Sequence, residues 1–518
     1  MRKSLSWQNY LATWFLILSF VCLPFSNALA ESPGEWLAQG RAAVRKAQAL
    51  APNNRVAKNV IFMIGDGMNL PTVTAARIYE WQQQNPGVAG GEQHFLSFEK
   101  LPYVALSKTF CTNSTVTDSA AAITAMCTGV KTKDGVLGVN QNILPHKASS
   151  VPGAEAKTMF EWAKQKGLST GVVTTTRVTH ATPAGAFAHT PDRDWESDSK
   201  ITDVATDPLN AQFPDIARQL IEWPYGNGMD VALGGGRAYF MPKTTPDPEY
   251  STKFGNRNDG RDLTQEWTAA GWTYVWNKAQ FDAVNPAATV KLLGLFEQSH
   301  MRYEADRRSN PVGEAGEPSL SEMTAKAIDI LAKNRKGYML MVEGGRIDHA
   351  HHDNSGYNVV NDTLEFAKAV EVALAKTNSR DTLIVVTADH GHVLALAGYP
   401  VRGNPILGKS VVNDYWGEPT DTLALGSDNL PYTTMVYGNG PGYAIDQATG
   451  KRADLTAVDT TAPTYRQQAA VPMATGDTHS AEDMSIYATG PGAHLFHGVQ
   501  ENTYFFHAIM EAMRLRYR

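Results

Sequence analysis

"DTLIVVTADHGH" (381–392) decides the fold. Its aliphatic and β-branched residues run on without polar alternation, as in a strand covered on both faces, and the run ends on Asp389 and His390. The same design recurs in "NVIFMIGDG" (59–67), "GVVTTT" (171–176), "DVALGGG" (230–236) and "GYMLMVEGG" (337–345). Helical patterns such as "AKTMFEWAKQKG" (156–167) and "LEFAKAVEVALAKT" (364–377) alternate with these runs. Such alternation predicts an α/β fold, a three-layer sandwich in which helices cover both faces of a large, mainly parallel sheet. Sheets of this kind bind ligands beyond the carboxyl ends of their strands. Here those ends carry Asp66, Glu343, Asp389 and His390.

Residues 393–470 differ, being rich in Gly, Pro, Asn and Thr with turn sequences such as "GYPVRGNP" and "YGNGPGY". They read as a crown-like surface insertion that partly rejoins the sheet at "YTTMVYGNG" (432–440). "PGEWLAQGRAAVRKAQAL" (33–50) reads as an amphipathic helix.

The chain opens with a basic start, an apolar run from about Leu11 to Phe25, and Ala28-Leu29-Ala30 as a small-x-small cleavage site. Residues 1–30 therefore read as a secretory signal peptide, and 31–518 as the mature domain. An uncleaved anchor is the rival, but the apolar run is short for a membrane span. No later segment is apolar enough to span a bilayer, and "EAMRLRYR" lacks the hydrophobic tail of a lipid-anchor signal. A periplasmic or extracellular location is expected. Loss of Arg2 and Lys3 with the leader moves the formal net charge from -6 to -8. With no basic block anywhere, nucleic acid is not an expected partner. Cys111 and Cys127 do not make a disulfide framework, and only geometry decides whether they pair.

Three further stretches carry acids and histidines. In "VEGGRIDHAHHDN" (342–354), Asp348 and His352 are four apart and share one face of a helix. "TADHGH" (387–392) supplies Asp389 and His390, and "GDTHSAED" (476–483) supplies His479. Singly these read as a solvated turn, a helix cap and a surface histidine. Together, acids that end several strands of one sheet converge and repel unless a cation lies between them, and mixed His/carboxylate sets suit zinc. "VTDSAAAITAMCTGVKTKDG" (116–135) holds Ser119 at the start of an alanine-rich run, with no histidine near it in sequence. Either Asp118 or Ser119 caps a helix there, or Ser119 is a nucleophile ionised by metal coordination. Arg193 in "HTPDRDW" (189–195) offers a fork for phosphate.

The stretches "IGDGM", "VTDSAAAITAMCTGVKTKDG", "THATPAGAFAHTPDRDW", "VEGGRIDHAHH", "VTADHGH" and "DTHSAED", in this order and spacing, resemble the alkaline phosphatase family over about residues 56–510. "LGGGRAYF", "TPDPEY", "GLFEQSHMRYE" and "YRQQAAVP" resemble its animal-type branch. The resemblance implies Ser119 as the nucleophile that becomes phosphoserine and Arg193 as the phosphate clamp. It implies one zinc on Asp348, His352 and His479, a second on Asp66, Asp389 and His390, and magnesium on Asp66, Thr182 and Glu343. His180, His349 and His392 would stand behind these ligands. It also implies a homodimer, and a calcium site from Glu249, the Phe296 carbonyl, Glu297 and Glu317, where the animal enzymes have aspartate at the last position. The later cysteine that the animal enzymes pair near the Cys127 position is missing, so their disulfide does not transfer.

The expected activity is hydrolysis of a broad range of phosphate monoesters at alkaline pH. A phosphodiesterase or sulfatase of the same superfamily is the alternative enzyme, although Ser119 lacks the C/S-x-P-x-R setting of sulfatases. A non-catalytic phosphate- or metal-binding protein is the alternative outside catalysis.

Overall fold

The computed structural model describes residues 31–309 and 315–516. The leader expected over residues 1–30 lies outside the described residues. The central sheet comprises β1 (Asn59–Gly65), β2 (Tyr103–Lys108), β3 (Ser169–Arg177), β4 (Val231–Gly235), β5 (Thr273–Val275), β6 (Leu292–Leu295), β7 (Tyr338–Gly344), β8 (Thr382–Thr387), β9 (Met484–Thr489) and β10 (Val499–Glu501). Their spatial order is β10-β2-β9-β8-β1-β7-β3-β4-β6-β5. Strand β9 runs antiparallel to its neighbours β2 and β8, and the remaining pairings in this sheet are parallel.

The period of two along each strand splits the core into two layers. Val60, Phe62 and Ile64 of β1, Met339 and Met341 of β7, and Leu383 and Val385 of β8 pack into one layer. Ile61 and Met63, Leu340 and Val342, and Ile384 and Val386 pack into the other. Ile123, Phe160 and Phe505 bring the helices Ser119–Thr128, Met159–Gln165 and Tyr504–Ala512 onto the first layer. Val73, Met323 and Phe366 bring Leu70–Gln84, Leu320–Leu331 and Gly356–Lys376 onto the second. This is the three-layer α/β arrangement that the sequence pattern predicts.

One expectation is corrected. The 432–440 run does not rejoin the central sheet. Met435–Gly440 pairs instead with Leu394–Leu396 and Ala469–Pro472 in a separate three-stranded sheet. The physical reason is its half-covered pattern: Met435 and Tyr437 are buried while Val436 and Gly438 are not, so the strand has one apolar face to cover. Cys111 and Cys127 are both buried and unpaired. The Pro33–Gln48 helix has a complete capping box at Ser32 and Glu35 but buries none of its residues.

Candidate active site

Parallel pairing of β8, β1, β7 and β3 aligns their carboxyl ends, with Glu343 level with Ile64 and Thr174, and Thr387 also level with Ile64. Asp66, Asp389 and His390 follow immediately, all fully buried. Gly67 makes their approach possible. Its φ of 69° is left-handed, its N–H donates to Asp389 Oδ1 at 3.1 Å, and a Cβ there would stand 2.5 Å from the His392 ring.

The Asp118–Ser119 ambiguity resolves into a division of labour. Asp118 is the cap of the Ser119–Thr128 helix, accepting from the Ala121 N–H at 3.0 Å, so Ser119 occupies the first helical position with its hydroxyl uncommitted to capping. Ser119 Oγ lies 3.0 Å from His390 Nε2, a histidine that sequence distance concealed. The same Nε2 is 3.4 Å from Asp66 Oδ1 and 3.3 Å from Asp389 Oδ2. Burial, followed by the nearby His479, holds His390 well below the ordinary imidazole value, so its ring is neutral. Arg193 donates to Asp118 Oδ2 at 3.0 Å and lies 3.2 Å from His180 Nε2, which sets its guanidinium beside the helix N-terminus.

Asp348 and His352 do share one helical face, in Arg346–His352, with Asp348 Oδ1 3.5 Å from His352 Nε2. A two-residue antiparallel bridge between Gly391–His392 and His479–Ser480 delivers His479 to the same point. His479 Nε2 is 3.4 Å from Asp348 Oδ1 and 3.3 Å from His352 Nε2. These separations match the roughly 3.3–3.6 Å tetrahedral edge set by ligands about 2.0–2.2 Å from one zinc-sized ion. Burial would raise Asp348, yet His352, His392 and His479 hold it well below the usual carboxylate value.

The rest of the cradle is starved of partners. Both Asp66 oxygens, Asp389 Oδ2, Glu343 Oε1, Thr182 Oγ1 and His180 Nδ1 are buried without a hydrogen bond. Leaving such a group unpaired costs about 1–3 kcal/mol, more where it is charged. Burial first, then Asp389, Asp348 and Glu343, push Asp66 well above the carboxylate range, and burial pushes Glu343 up to about 7. Carboxylates, a hydroxyl and neutral ring nitrogens converging in this way fit divalent cations. His180, expected behind the ligands, offers a ring nitrogen within the same cluster as Asp66 and Glu343.

His392 donates to Asp348 Oδ1 at 2.7 Å and to Asp477 Oδ1 at 2.9 Å. Its own burial opposes the charge, but Asp477 and Asp348 raise it to about 10, so it is an imidazolium between two carboxylates. Asp477 escaped the sequence reading although it stands two residues before His479; Oδ1 is also 3.2 Å from His352 Nδ1. His300 was missed too. Its ring packs edge-on at 4.2 Å from His349 and 5.4 Å from His180. His349 Nδ1 is 2.9 Å from Arg346 Nη1.

The expected calcium ligands are neighbours without closing on one point. Glu249 is bound by Arg237 at 3.2 Å, and Glu297 accepts from Tyr250 at 2.8 Å. Glu317 Oε1 accepts from the Arg302 N–H at 2.8 Å, while Oε2 is buried and unpartnered. Glu297 raises both Glu249 and Glu317 beyond what burial does. Among the described residues these carboxylates do not form a group within 4.8 Å, as the strand-end clusters do.

With this geometry in place, the family model for alkaline phosphatase matches residues 57–515. The chain belongs to the alkaline phosphatase family. It is 43% identical over 491 residues to the tissue-nonspecific alkaline phosphatase of Gallus gallus, covering 93% of this chain and 89% of that protein. The human tissue-nonspecific isozyme is 40% identical over 513 residues, covering 96% of this chain and 92% of that protein. The Thermus thermophilus alkaline phosphatase structure superposes with a TM-score of 0.62 at 27% identity, covering 91% of this chain and 94% of that one. The enzyme hydrolyses phosphate monoesters. Membership implies metal cofactors, and the donor clusters at the strand ends are their candidate sites. Among the described residues no helix is long and apolar enough to cross a membrane.

Proposed function

We propose that the enzyme works through a phosphoserine on Ser119. The observation that carries this reading is the position of Ser119 Oγ. It lies at the first turn of a ten-residue helix, 3.0 Å from a neutral His390 and beside a cradle of unpartnered carboxylates. Arg193, held by Asp118 and His180, binds two non-bridging oxygens of the substrate phosphate. The free N–H groups and dipole of the helix start favour the same anion. Ser119 Oγ forms a bond to phosphorus as the ester P–O bond breaks, and the alcohol leaves with the bonding pair. Water then attacks phosphorus from the side the alcohol left, which frees Ser119 and inorganic phosphate. Asp348, His352 and His479 would hold one zinc, Asp66, Asp389 and His390 a second, and Asp66, Thr182 and Glu343 a magnesium. These cations would supply positive charge that ionises the serine and the attacking water and steadies the leaving oxygen. His180 and His349 back this set, and His392 orients Asp348.

The binding determinants named here touch only the phosphate, which supports a broad range of monoesters. Glu249, the Phe296 carbonyl, Glu297 and Glu317 would take calcium, whose flexible oxygen coordination tolerates the spread of these acids. Export to the periplasm or outside the cell is supported by the leader pattern. A homodimer is supported by the Pro33–Gln48 helix, whose apolar Trp36, Leu37 and Val44 lie open on the protomer, with the 393–470 insertion as its crown. The test is phosphate release from a chromogenic monoester with and without chelator, beside the matching diester and sulfate. Chelator-sensitive hydrolysis of the monoester far above the others supports the reading. Preference for the diester or sulfate, or turnover untouched by chelator, overturns it.

A further inference from the structure

We propose, on the reading that one zinc sits on Asp348, His352 and His479, that Tyr437 and Asn439 are positioning residues for that ion. Both belong to the strand Met435–Gly440 of the separate three-stranded sheet. Standing two apart, their side chains leave the same face of the strand. Each takes hold of one of the two segments that carry the donors.

Tyr437 grips the helix Arg346–His352. His351 Nε2 lies 2.9 Å from Thr72 Oγ1, whose own proton goes to Asn69 Oδ1 at 2.7 Å, so the Nε2–H donates. Burial, then the charge on His392, holds His351 well below the ordinary imidazole value, which keeps the ring neutral and Nδ1 bare. The Tyr437 hydroxyl donates to that Nδ1 at 2.9 Å. Tyr437, His351 and Thr72 are all buried. Fixed at both nitrogens, the His351 ring stacks on His392 with centroids 4.6 Å apart and planes 15° from parallel. Asn69 Nδ2 donates to the His392 carbonyl at 2.7 Å, so one network sets both the backbone and the ring plane of the residue that donates to Asp348.

Asn439 grips the loop that ends on His479. Its Nδ2 donates to Thr478 Oγ1 and its Oδ1 accepts from the Thr478 N–H, each at 2.9 Å. Thr478 stands between His479 and Asp477, whose carbonyl oxygen is 2.8 Å from His352 Nδ1. Gly440 lets the strand dock this closely. Its φ is 136°, and a Cβ there would collide with the Asn354 side chain just past the helix.

The experiment is stepwise competition of the whole enzyme against a chromogenic zinc chelator, with magnesium saturating. The step missing from His479→Ala marks the zinc on Asp348, His352 and His479. Tyr437→Phe loses one hydroxyl and keeps its ring, and Asn439→Ala loses both bonds to Thr478. Each is expected to weaken the marked step about tenfold, as loss of a ligand's outer partner does, while the second zinc stays within twofold of wild type. Tm is read on the metal-loaded proteins. A marked step within twofold of wild type in either variant, or an equal loss at both zincs, overturns the positioning role. A lowered Tm beside an unchanged marked step overturns it too and leaves plain packing contacts. If His479→Ala loses no step, the zinc reading itself fails instead.

Discussion

Replacing Asp477 with asparagine removes one negative charge and almost no volume, so it tests what that charge does rather than whether the fold survives. Asp477 Oδ1 accepts from His392 at 2.9 Å and sits 3.2 Å from His352 Nδ1, while its carbonyl oxygen is 2.8 Å from the same Nδ1. His392 passes the constraint on to Asp348 at 2.7 Å. One of the three donors around the proposed first zinc, Asp348, is thus aimed by this carboxylate through His392, while His352 keeps the Asp477 backbone carbonyl as its nearer partner. Losing such an outer partner typically weakens metal affinity about 10–100-fold, or about 1.4–2.8 kcal/mol. His392 would also lose one of the two charges that raise it to about 10, so it would shed its proton at lower pH and hold Asp348 less firmly. The assay is stepwise competition against a chromogenic zinc chelator, which follows, separately from the second zinc, the one proposed on Asp348, His352 and His479. Asp477→Asn should weaken that zinc alone by at least tenfold. Affinity within twofold of wild type would refute the orienting role and leave Asp477 a packing contact.

His180 shares a cluster with Asp66 and Glu343, and a ring nitrogen suits magnesium less well than a carboxylate. His180→Asp should therefore tighten magnesium and shift the activity profile, and an unchanged magnesium titration would count against it. At the proposed calcium site, burial and then Glu297 raise Glu317 to about 8, so calcium must displace a proton below that pH. The calcium-dependent gain in Tm should grow from about pH 6 to about pH 8 and then level off. A gain independent of pH, or one retained in Glu249→Gln with Glu297→Gln, would exclude the site. His189 is raised, against its burial, by Glu161 at 2.8 Å and by the Gly138 carbonyl. Its contribution is therefore fully present below the unfolded value of about 6.5 and fades as pH rises through the folded value. The Tm gap between wild type and His189→Gln should narrow with rising pH, and a constant gap would contradict this.

Five of the parallel strands were legible because β1, β3, β4, β7 and β8 are largely buried and read as runs of apolar or β-branched residues. Strands β2, β5, β6, β9 and β10 were not: "YVALSK" and "VQE" keep exposed positions and lose that signature, and "TYV" and "LLGL" are too short to show one. "MSIYAT" is buried, but Ser485 interrupts its apolar run. At the site, residues carried by strand ends and by helical spacing could be read directly. Asp477 and His300 lie in loops, and their partners His392 and His349 are distant in sequence. Nothing local in the chain says that Ser119 will face His390, 271 positions away.

The most direct test of the account is acid quenching during turnover of a phosphate monoester, followed by mapping of any covalently bound phosphate by peptide mass spectrometry. The account predicts phosphate on Ser119 in the wild type. It predicts none in Ser119→Ala, which should still hold its zinc because Asp66, Asp348, His352, Asp389, His390 and His479 are untouched. Phosphate trapped on any other residue, or a wild type that turns over without a trappable phosphoenzyme, would contradict it.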